Sequence, residues 1–146
     1  MKVHEDFKDF IDALNKNNVQ YVIVGAFALA FHGHPRATGD IDIWLRPTLQ
    51  NAKAILKALI DFGFGELDIF EDDILSGKII QLGDPPVRID LITLMEGLTH
   101  EEIWESRKSG TFGDQEVFYI GREAFIRNKK AISRHKDLAD LELLGE

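Results

Sequence analysis

The stretch VIVGAFALAFHGHPRATGDIDIWL, residues 22–45, decides the fold and poses a chemical problem. Its first residues are apolar and β-branched, which predicts a strand, and Gly25 interrupts that strand. The last six letters, DIDIWL, alternate acidic and apolar residues and predict a second strand. Asp40 and Asp42 then point to one face of that strand, with Cα atoms about 6.5–7 Å apart, while the intervening isoleucines point into the core.

Two carboxylates on one strand face repel each other and resist burial. A divalent cation resolves the conflict, because Mg²⁺ prefers oxygen ligands and is commonly held by a few carboxylates together with substrate phosphates. A third acid, Asp90, interrupts the apolar strand VRIDLIT, and it faces the same point if the two strands are neighbours. Three carboxylates on adjacent strands form a two-metal site for phosphoryl transfer. The alternative is structural: a solvated strand face, with Asp90 paired to Arg88 or another base.

The composition is that of a folded, acidic protein. The chain of 146 residues predicts a single domain, residues 1–146, and 45% apolar residues suffice for one core. The formal net charge of −8 argues against a surface that coats nucleic acid, although it is compatible with one local basic groove. Cysteine is absent, the first residues MKVHEDFKDF are charged, and the longest apolar stretch is too short to span a bilayer. We therefore expect a cytoplasmic protein without a membrane segment.

Apolar periodicity predicts helices and strands that mix without strict alternation, which favours an α+β fold or a mixed α/β sandwich. Thr48 is a candidate N-cap, and Thr99 with Glu102 forms a capping-box pattern. The predicted helices are residues 4–17, a short helix after Gly25, 49–62, 100–106, 122–132 and 134–144, and the predicted strands are QYVIVG, DIDIWL, GKIIQLG, VRIDLIT and EVFYI.

The order of strand, Gly break, small-residue helix, Arg-containing loop and acid–apolar–acid strand resembles the nucleotidyltransferase superfamily typified by DNA polymerase β. The chain is more closely similar to small bacterial nucleotidyltransferase-like proteins, to which the nucleotidyltransferase toxins of type IV toxin–antitoxin systems are related. Two blocks carry this resemblance, GAFALAFHGHPRATGDIDIW (25–44) and NKKAISRHKDLADLE (128–142), and it extends over essentially the whole chain. It implies a nucleotidyltransferase fold, a mixed central sheet flanked by helices, with C-terminal helices.

The resemblance also implies a catalytic site and a reaction. Asp40, Asp42 and Asp90 are implied as the metal ligands for Mg²⁺ or Mn²⁺, with Asp90 as the residue that activates the incoming hydroxyl. The implied reaction is in-line attack of an acceptor hydroxyl on the α-phosphate of an NTP such as ATP, with release of pyrophosphate.

The residues that follow the first strand are implied to bind the nucleotide. Gly25 allows the backbone to approach the phosphates closely, and the start of the following helix offers N–H groups to them. Where the superfamily usually has a second Gly or Ser, this chain has Ala26, which has no hydroxyl but keeps its backbone N–H. Arg36 and Thr38, in the loop before Asp40, are candidates for phosphate contact, and the alternative for Arg36 is an ion pair with an acid of the site.

A second basic candidate lies near the C-terminus. Residues 122–136 contain six Lys or Arg side chains and one acid, in a chain that is otherwise acidic. We predict a clamp for the triphosphate, with Lys129 and Lys136 as its best candidates because they match the family block; the alternative is a solvated helix face. Asp137 and Asp140 follow, and they hold these bases in position or simply solvate the last helix. His32, His34 and Trp44 are weaker candidates for substrate contact.

Two functions from different classes remain. The first is a metal-dependent nucleotidyltransferase whose acceptor is protein, RNA or a small molecule. The second is a non-catalytic interaction module of the same fold, such as a toxin–antitoxin component; Ala26 favours it, and the complete set of three acids favours the enzyme. A chain this short has little room for an acceptor domain, so we expect that a protein partner or a homodimer completes the cleft.

Overall fold

The computed structural model describes residues 4–65 and 68–146. Within these residues the chain forms helices and strands in mixed order. The helices are α1 (Glu5–Lys16), α2 (Gly25–Phe31), α3 (Leu49–Phe62), α4 (Glu71–Leu75), α5 (His100–Ser106), α6 (Arg122–Ile132) and α7 (His135–Leu143). The strands are β1 (Tyr21–Val24), β2 (Asp40–Leu45), β3 (Ile80–Leu82), β4 (Arg88–Ile92), β5 (Lys108–Phe112) and β6 (Gln115–Tyr119).

The strands form a six-stranded mixed sheet in the order β3–β4–β2–β1–β6–β5. Strand β2 is parallel to β4, and β1 is parallel to β6, whereas β1–β2, β3–β4 and β5–β6 are antiparallel pairs. The two short strands of the first motif therefore lie at the centre of the sheet, with β4 beside β2. This order confirms the predicted fold class of a mixed sheet flanked by helices.

Burial of the sheet follows the alternation in the sequence. Ile41 and Ile43 of β2 are fully buried, whereas Asp40 and Asp42 on the opposite face are half-buried. Helices α1 and α3 pack against each other, and the rings of Phe10 and Phe62 meet edge to face with centroids 5.2 Å apart. Apolar burial of this kind supplies most of the folding free energy.

Local signals set the ends of several helices. The Thr48 side chain accepts a hydrogen bond from the Asn51 backbone N–H at the start of α3, and Gly63 ends the helix in a left-handed conformation. Thr99 and Glu102 form the predicted capping box at the start of α5. The predicted helix at residues 122–132 is confirmed as α6, whereas α4 and β5 are elements that the sequence did not predict.

The C-terminal helices pack against each other, and Arg122 at the start of α6 donates a hydrogen bond to the Leu144 carbonyl oxygen at 2.7 Å. Among residues 4–65 and 68–146, no helix has the length and apolar character that crossing a membrane requires.

Candidate active site

The three acids of the predicted site come together on adjacent strands. Because β2 and β4 are parallel and in register, Asp42 lies opposite Asp90. Each of Asp40, Asp42 and Asp90 contributes a carboxylate oxygen, and these oxygens all lie within 4.8 Å of one another. Asp40 and Asp42 are half-buried and Asp90 is buried. The arrangement offers hard oxygen donors at the spacing that one divalent cation requires.

The neighbouring backbone and a hydroxyl group orient two of these acids. Val24, the last residue of β1, pairs with Asp42, so that the chain turns into α2 directly beside the Asp42 carboxylate. The Thr38 hydroxyl donates a hydrogen bond to Asp40 Oδ1 at 2.8 Å, which fixes that carboxylate from the loop before β2. Thr38 thus belongs to the site because it holds Asp40, and Gly25 and Ala26 lie at the rim of the same site.

Arg88 bridges two of the carboxylates. It begins β4 and shares a strand face with Asp90, because residues two apart point the same way. Its Nη2 lies 2.6 Å from Asp40 Oδ2, and its Nε lies 3.0 Å from Asp90 Oδ1. A second bond joins Nη2 to Asp90 Oδ2 at 3.0 Å, so that the guanidinium holds Asp90 in a two-pronged contact. The structural pairing of Asp90 with Arg88 that the sequence left open is present, and it extends to Asp40.

Asp42 is the acid that Arg88 does not contact among the described hydrogen bonds and ion pairs. Burial, the charges of Asp40 and Asp90, and a hydrogen bond with Asp90 raise the pKa of Asp42 from 3.8 to about 7, whereas the charge of Lys136 acts in the opposite direction. The site therefore carries more negative charge than its surroundings balance, which favours either a proton on Asp42 or a bound cation.

These acids form the floor of a cleft of about 450 Å³. One set of lining residues comes from β3, β4 and the segments that flank them, and it is largely apolar: Ile79, Gln81, Ile92, Leu94, Met95 and Glu96. A second set comes from α6 and the start of α7 and carries three basic side chains: Phe125, Asn128, Lys129, Ile132, Arg134 and Lys136. We call this second set the basic wall.

The basic stretch of residues 122–136 divides between this cleft and other surfaces. Lys129, Arg134 and Lys136 line the cleft. Arg122 bonds to the end of α7, and Arg127 pairs with Glu102 and donates to the Gly97 carbonyl oxygen. Half of the bases therefore line the same cleft as the acids, and the rest stabilise helix contacts or meet solvent, so the triphosphate clamp stays a prediction for the first half.

No family model and no curated protein sequence matches the chain. A crystal structure from Thermotoga maritima, of a protein provisionally named a nucleotidyltransferase, has a TM-score of 0.56 at 13% sequence identity, and the match covers 98% of this chain and 92% of that chain. This chain has a nucleotidyltransferase fold. The similarity concerns the arrangement of helices and strands, as the sequence resemblance implied.

Within the nucleotidyltransferase fold, Arg36 contacts the C-terminal helix instead of the three acids. Arg36 Nε lies 3.2 Å from Asp140 Oδ1, although the same side chain also lines the cleft. The alternative that Arg36 pairs with an acid of the site is therefore replaced by a pairing with Asp140 on α7. The sequence marked Asp140 only as an acid that could hold the bases of residues 122–136 in position, and it carried no signal for Arg36 as the partner.

The weaker candidates do not line the cleft. The His32 ring lies 2.8 Å from the Ile120 carbonyl oxygen, in a structural contact, and neither His32 nor His34 is among the described residues that line the cleft. Trp44 is fully buried, and its indole N–H donates to the Thr93 carbonyl oxygen at 3.1 Å. Trp44 thus packs in the core and is not among the described residues that line the cleft.

Proposed function

We propose that this chain is a metal-dependent nucleotidyltransferase that transfers a nucleoside monophosphate from an NTP to an acceptor hydroxyl and releases pyrophosphate. The observation that carries the proposal is the meeting of carboxylate oxygens of Asp40, Asp42 and Asp90 within 4.8 Å in a cleft that the basic wall also lines. The shared fold with the protein from Thermotoga maritima supports it. The three acids are the proposed catalytic residues.

The residues present fit a divalent cation such as Mg²⁺ or Mn²⁺. All three donors are carboxylates, which are the ligands that these ions prefer, and the raised pKa of Asp42 reflects a local excess of negative charge that a cation relieves. Bound there, the ion would neutralise charge on the attacking and leaving oxygens. The same site then selects substrates that bring phosphate oxygens to the floor of the cleft.

The chain's own residues supply binding and proton handling. Asp90 accepts the proton of the acceptor hydroxyl as its oxygen attacks the α-phosphorus, and the bond from that phosphorus to the bridging oxygen breaks to release pyrophosphate. Gly25 and Ala26 line the cleft beside Asp42 and are the proposed backbone contacts of the phosphates. Arg36, Lys129 and Lys136 are the proposed ligands of the remaining phosphates, since all three line the cleft.

Calorimetric titration with each of the four NTPs tests this function. Wild type and Asp42→Asn are compared with Mg²⁺, with Mn²⁺ and with EDTA, and Asp12→Asn is the matched control because Asp12 pairs with Lys16 on the surface of α1. We expect binding that requires metal, that Asp42→Asn loses and that Asp12→Asn keeps. The proposal fails if no NTP binds to wild type, or if Asp42→Asn binds as wild type does.

A non-catalytic interaction module, such as one component of a toxin–antitoxin pair, is the second proposal. Two observations favour it: Ala26 brings no hydroxyl to the rim of the cleft, and Arg88 already compensates Asp40 and Asp90. Under this proposal the chain binds a protein partner or a second copy, and metal-dependent turnover is absent. For the enzyme, the acceptor is a hydroxyl of a protein, an RNA or a small molecule, and we place either activity in the cytoplasm.

A further inference from the structure

An unbroken chain of ion pairs links the loop before β2 to both C-terminal helices. It runs through Arg36, Asp140, Lys129, Asp137 and Arg134, and we call these residues the ion-pair chain. Lys129 Nζ lies 3.3 Å from Asp140 Oδ2 and 3.1 Å from Asp137 Oδ1. The outer links are Arg36 to Asp140 at 3.2 Å and Arg134 to Asp137 at 2.8 Å.

The interior of the ion-pair chain is buried. Asp137 is 0% exposed, Asp140 3% and Lys129 6%. Burial of a charge costs several kcal/mol per ion unless the charge is well paired, and charges on a solvated surface avoid this desolvation cost. Stability alone therefore does not account for the burial of the ion-pair chain. The three cations line the cleft, whereas neither aspartate is among the described residues that line it. The carboxylates thus lie behind the cations and hold them toward the acids of the site.

Asp140 differs from Asp137 because it joins two separate segments. Its Oδ1 and Oδ2 accept hydrogen bonds from Nε and Nη2 of Arg36, which belongs to the loop before β2, and its Oδ2 also meets Lys129 of α6. Within residues 4–65 and 68–146, Nη1 of Arg36 has no hydrogen-bond acceptor, and Lys129 Nζ has a third N–H beyond its two carboxylate contacts. Both cations therefore keep a donor for a ligand.

We propose that Asp140 is a positioning residue that holds Arg36 and Lys129 side by side as one receptor for the β- and γ-phosphates of the nucleotide. The inference rests on the proposed function. The α-phosphate has to lie at the three acids, so the phosphates beyond it extend toward the basic wall. A planar guanidinium and an ammonium that are fixed in advance bind these oxygens with little loss of side-chain entropy.

The direction in which one substitution changes triphosphate affinity distinguishes a positioning role from simple charge balance. Asp140→Asn removes one negative charge from behind the cleft. If Asp140 only neutralises its neighbours, the added positive potential should leave triphosphate affinity unchanged or raise it. If Asp140 positions Arg36 and Lys129, the affinity should fall despite that potential.

The experiment measures the affinity of wild type, Asp140→Asn and Glu102→Gln for each NTP and for the corresponding nucleoside monophosphate, by calorimetry with Mg²⁺. Glu102→Gln is the matched control, since it releases Arg127 on the same helix α6 but outside the cleft. We expect Asp140→Asn to weaken triphosphate binding by about tenfold, the loss of one charge-assisted hydrogen bond, and to leave monophosphate binding unchanged. Glu102→Gln should match wild type for both ligands.

Because Asp140 is buried, Arg36→Gln provides a variant on the half-exposed loop that keeps the C-terminal helices intact. It should lose triphosphate affinity as well, and the double variant should lose less than the sum of the two single losses, because Asp140 acts partly through Arg36. Equal or tighter triphosphate binding by either variant, or an equal loss for the monophosphate, would overturn the positioning role alone. Absence of NTP binding by wild type would overturn the proposed function and this inference with it.

Discussion

A Cβ atom at Gly25 would lie 2.2 Å from Oδ2 of Asp42. The Gly25 backbone is also left-handed, with φ +66°, a conformation that glycine adopts without strain. The Gly25 backbone, directly after β1, and the Asp42 carboxylate of β2 can therefore come into direct contact only because residue 25 is a glycine. The glycine that ends the first apolar strand and the acid pair of the second strand therefore depend on each other sterically.

Gly25→Ala should displace the Asp42 carboxylate and abolish metal-dependent nucleotide binding. The strained φ alone costs about 1–2 kcal/mol of stability. Gly63→Ala is the matched control, because Gly63 has φ +105° and, apart from its chain neighbours and its own helix backbone, no described residue has an atom within 4 Å of the position of the added Cβ. Calorimetry and thermal unfolding of both variants check this: both should lose stability, and only Gly25→Ala should lose binding. Retained nucleotide binding in Gly25→Ala would contradict the proposed contact.

Arg88→Met should make the thermal stability of the protein more dependent on divalent cations. Without the guanidinium, Asp40 and Asp90 lose their bridging cation, so the metal-free protein becomes less stable while its affinity for Mg²⁺ rises. The measurement is the shift in Tm on adding Mg²⁺, which should be larger for Arg88→Met than for wild type. Arg46→Met, which removes a surface ion pair with Glu101, should leave the shift unchanged. An equal shift in all three proteins would show that Arg88 does not compete with the metal.

The part of the fold that sequence could predict is the part that local chemistry determines. Helix α3 occupies the predicted residues because its cap, Thr48, and its terminating Gly63 act within one turn of its ends. Strand β5, KSGTF, has no apolar alternation and forms because β6 pairs with it, and a Cβ atom at Gly110 would meet the rings of Phe31 and Tyr119. Helix α4, EDDIL, buries a single side chain, Ile74, and is too short for periodicity to reveal.

The same division holds for the candidate site. Period-two alternation in one strand was enough to place Asp40 and Asp42 on a shared face, whereas the meeting with Asp90 depends on the pairing of β2 with β4. The pairing of Arg36 with Asp140 joins residues 104 positions apart, and no local pattern encodes it. Arg88 carried a usable signal, because it precedes Asp90 by two residues on one strand and so had to share its face.

Asp42→Asn should remove a dependence of stability on pH in the absence of metal. The pKa of Asp42 in the folded protein, about 7, lies above its ordinary value of 3.8, so the protonated carboxyl stabilises the native state below 3.8 and this stabilisation is lost as pH rises through 7. The difference between the two pKa values sets an upper limit of about 4 kcal/mol. Urea unfolding in EDTA at about pH 4 and about pH 8 measures the effect.

Relative to wild type, Asp42→Asn should gain stability as pH rises between those values, and Mg²⁺ should reduce the gain because it stabilises the ionised carboxylates of wild type. A constant difference in the free energy of unfolding across this range would show that Asp42 ionises as an exposed aspartate does.

Lys136→Ala should weaken NTP binding, whereas Lys130→Ala should not. Both lysines are exposed, but Lys136 lines the cleft and its charge lowers the pKa of Asp42, while Lys130 is not among the described residues that line the cleft. An exposed lysine that contacts phosphate contributes about 1 kcal/mol, which corresponds to roughly fivefold in affinity, and the effect should shrink with added salt. Calorimetry at two ionic strengths checks both variants. Equal affinities for the two would assign Lys136 to the solvated face of α7 and leave the triphosphate to Arg36 and Lys129.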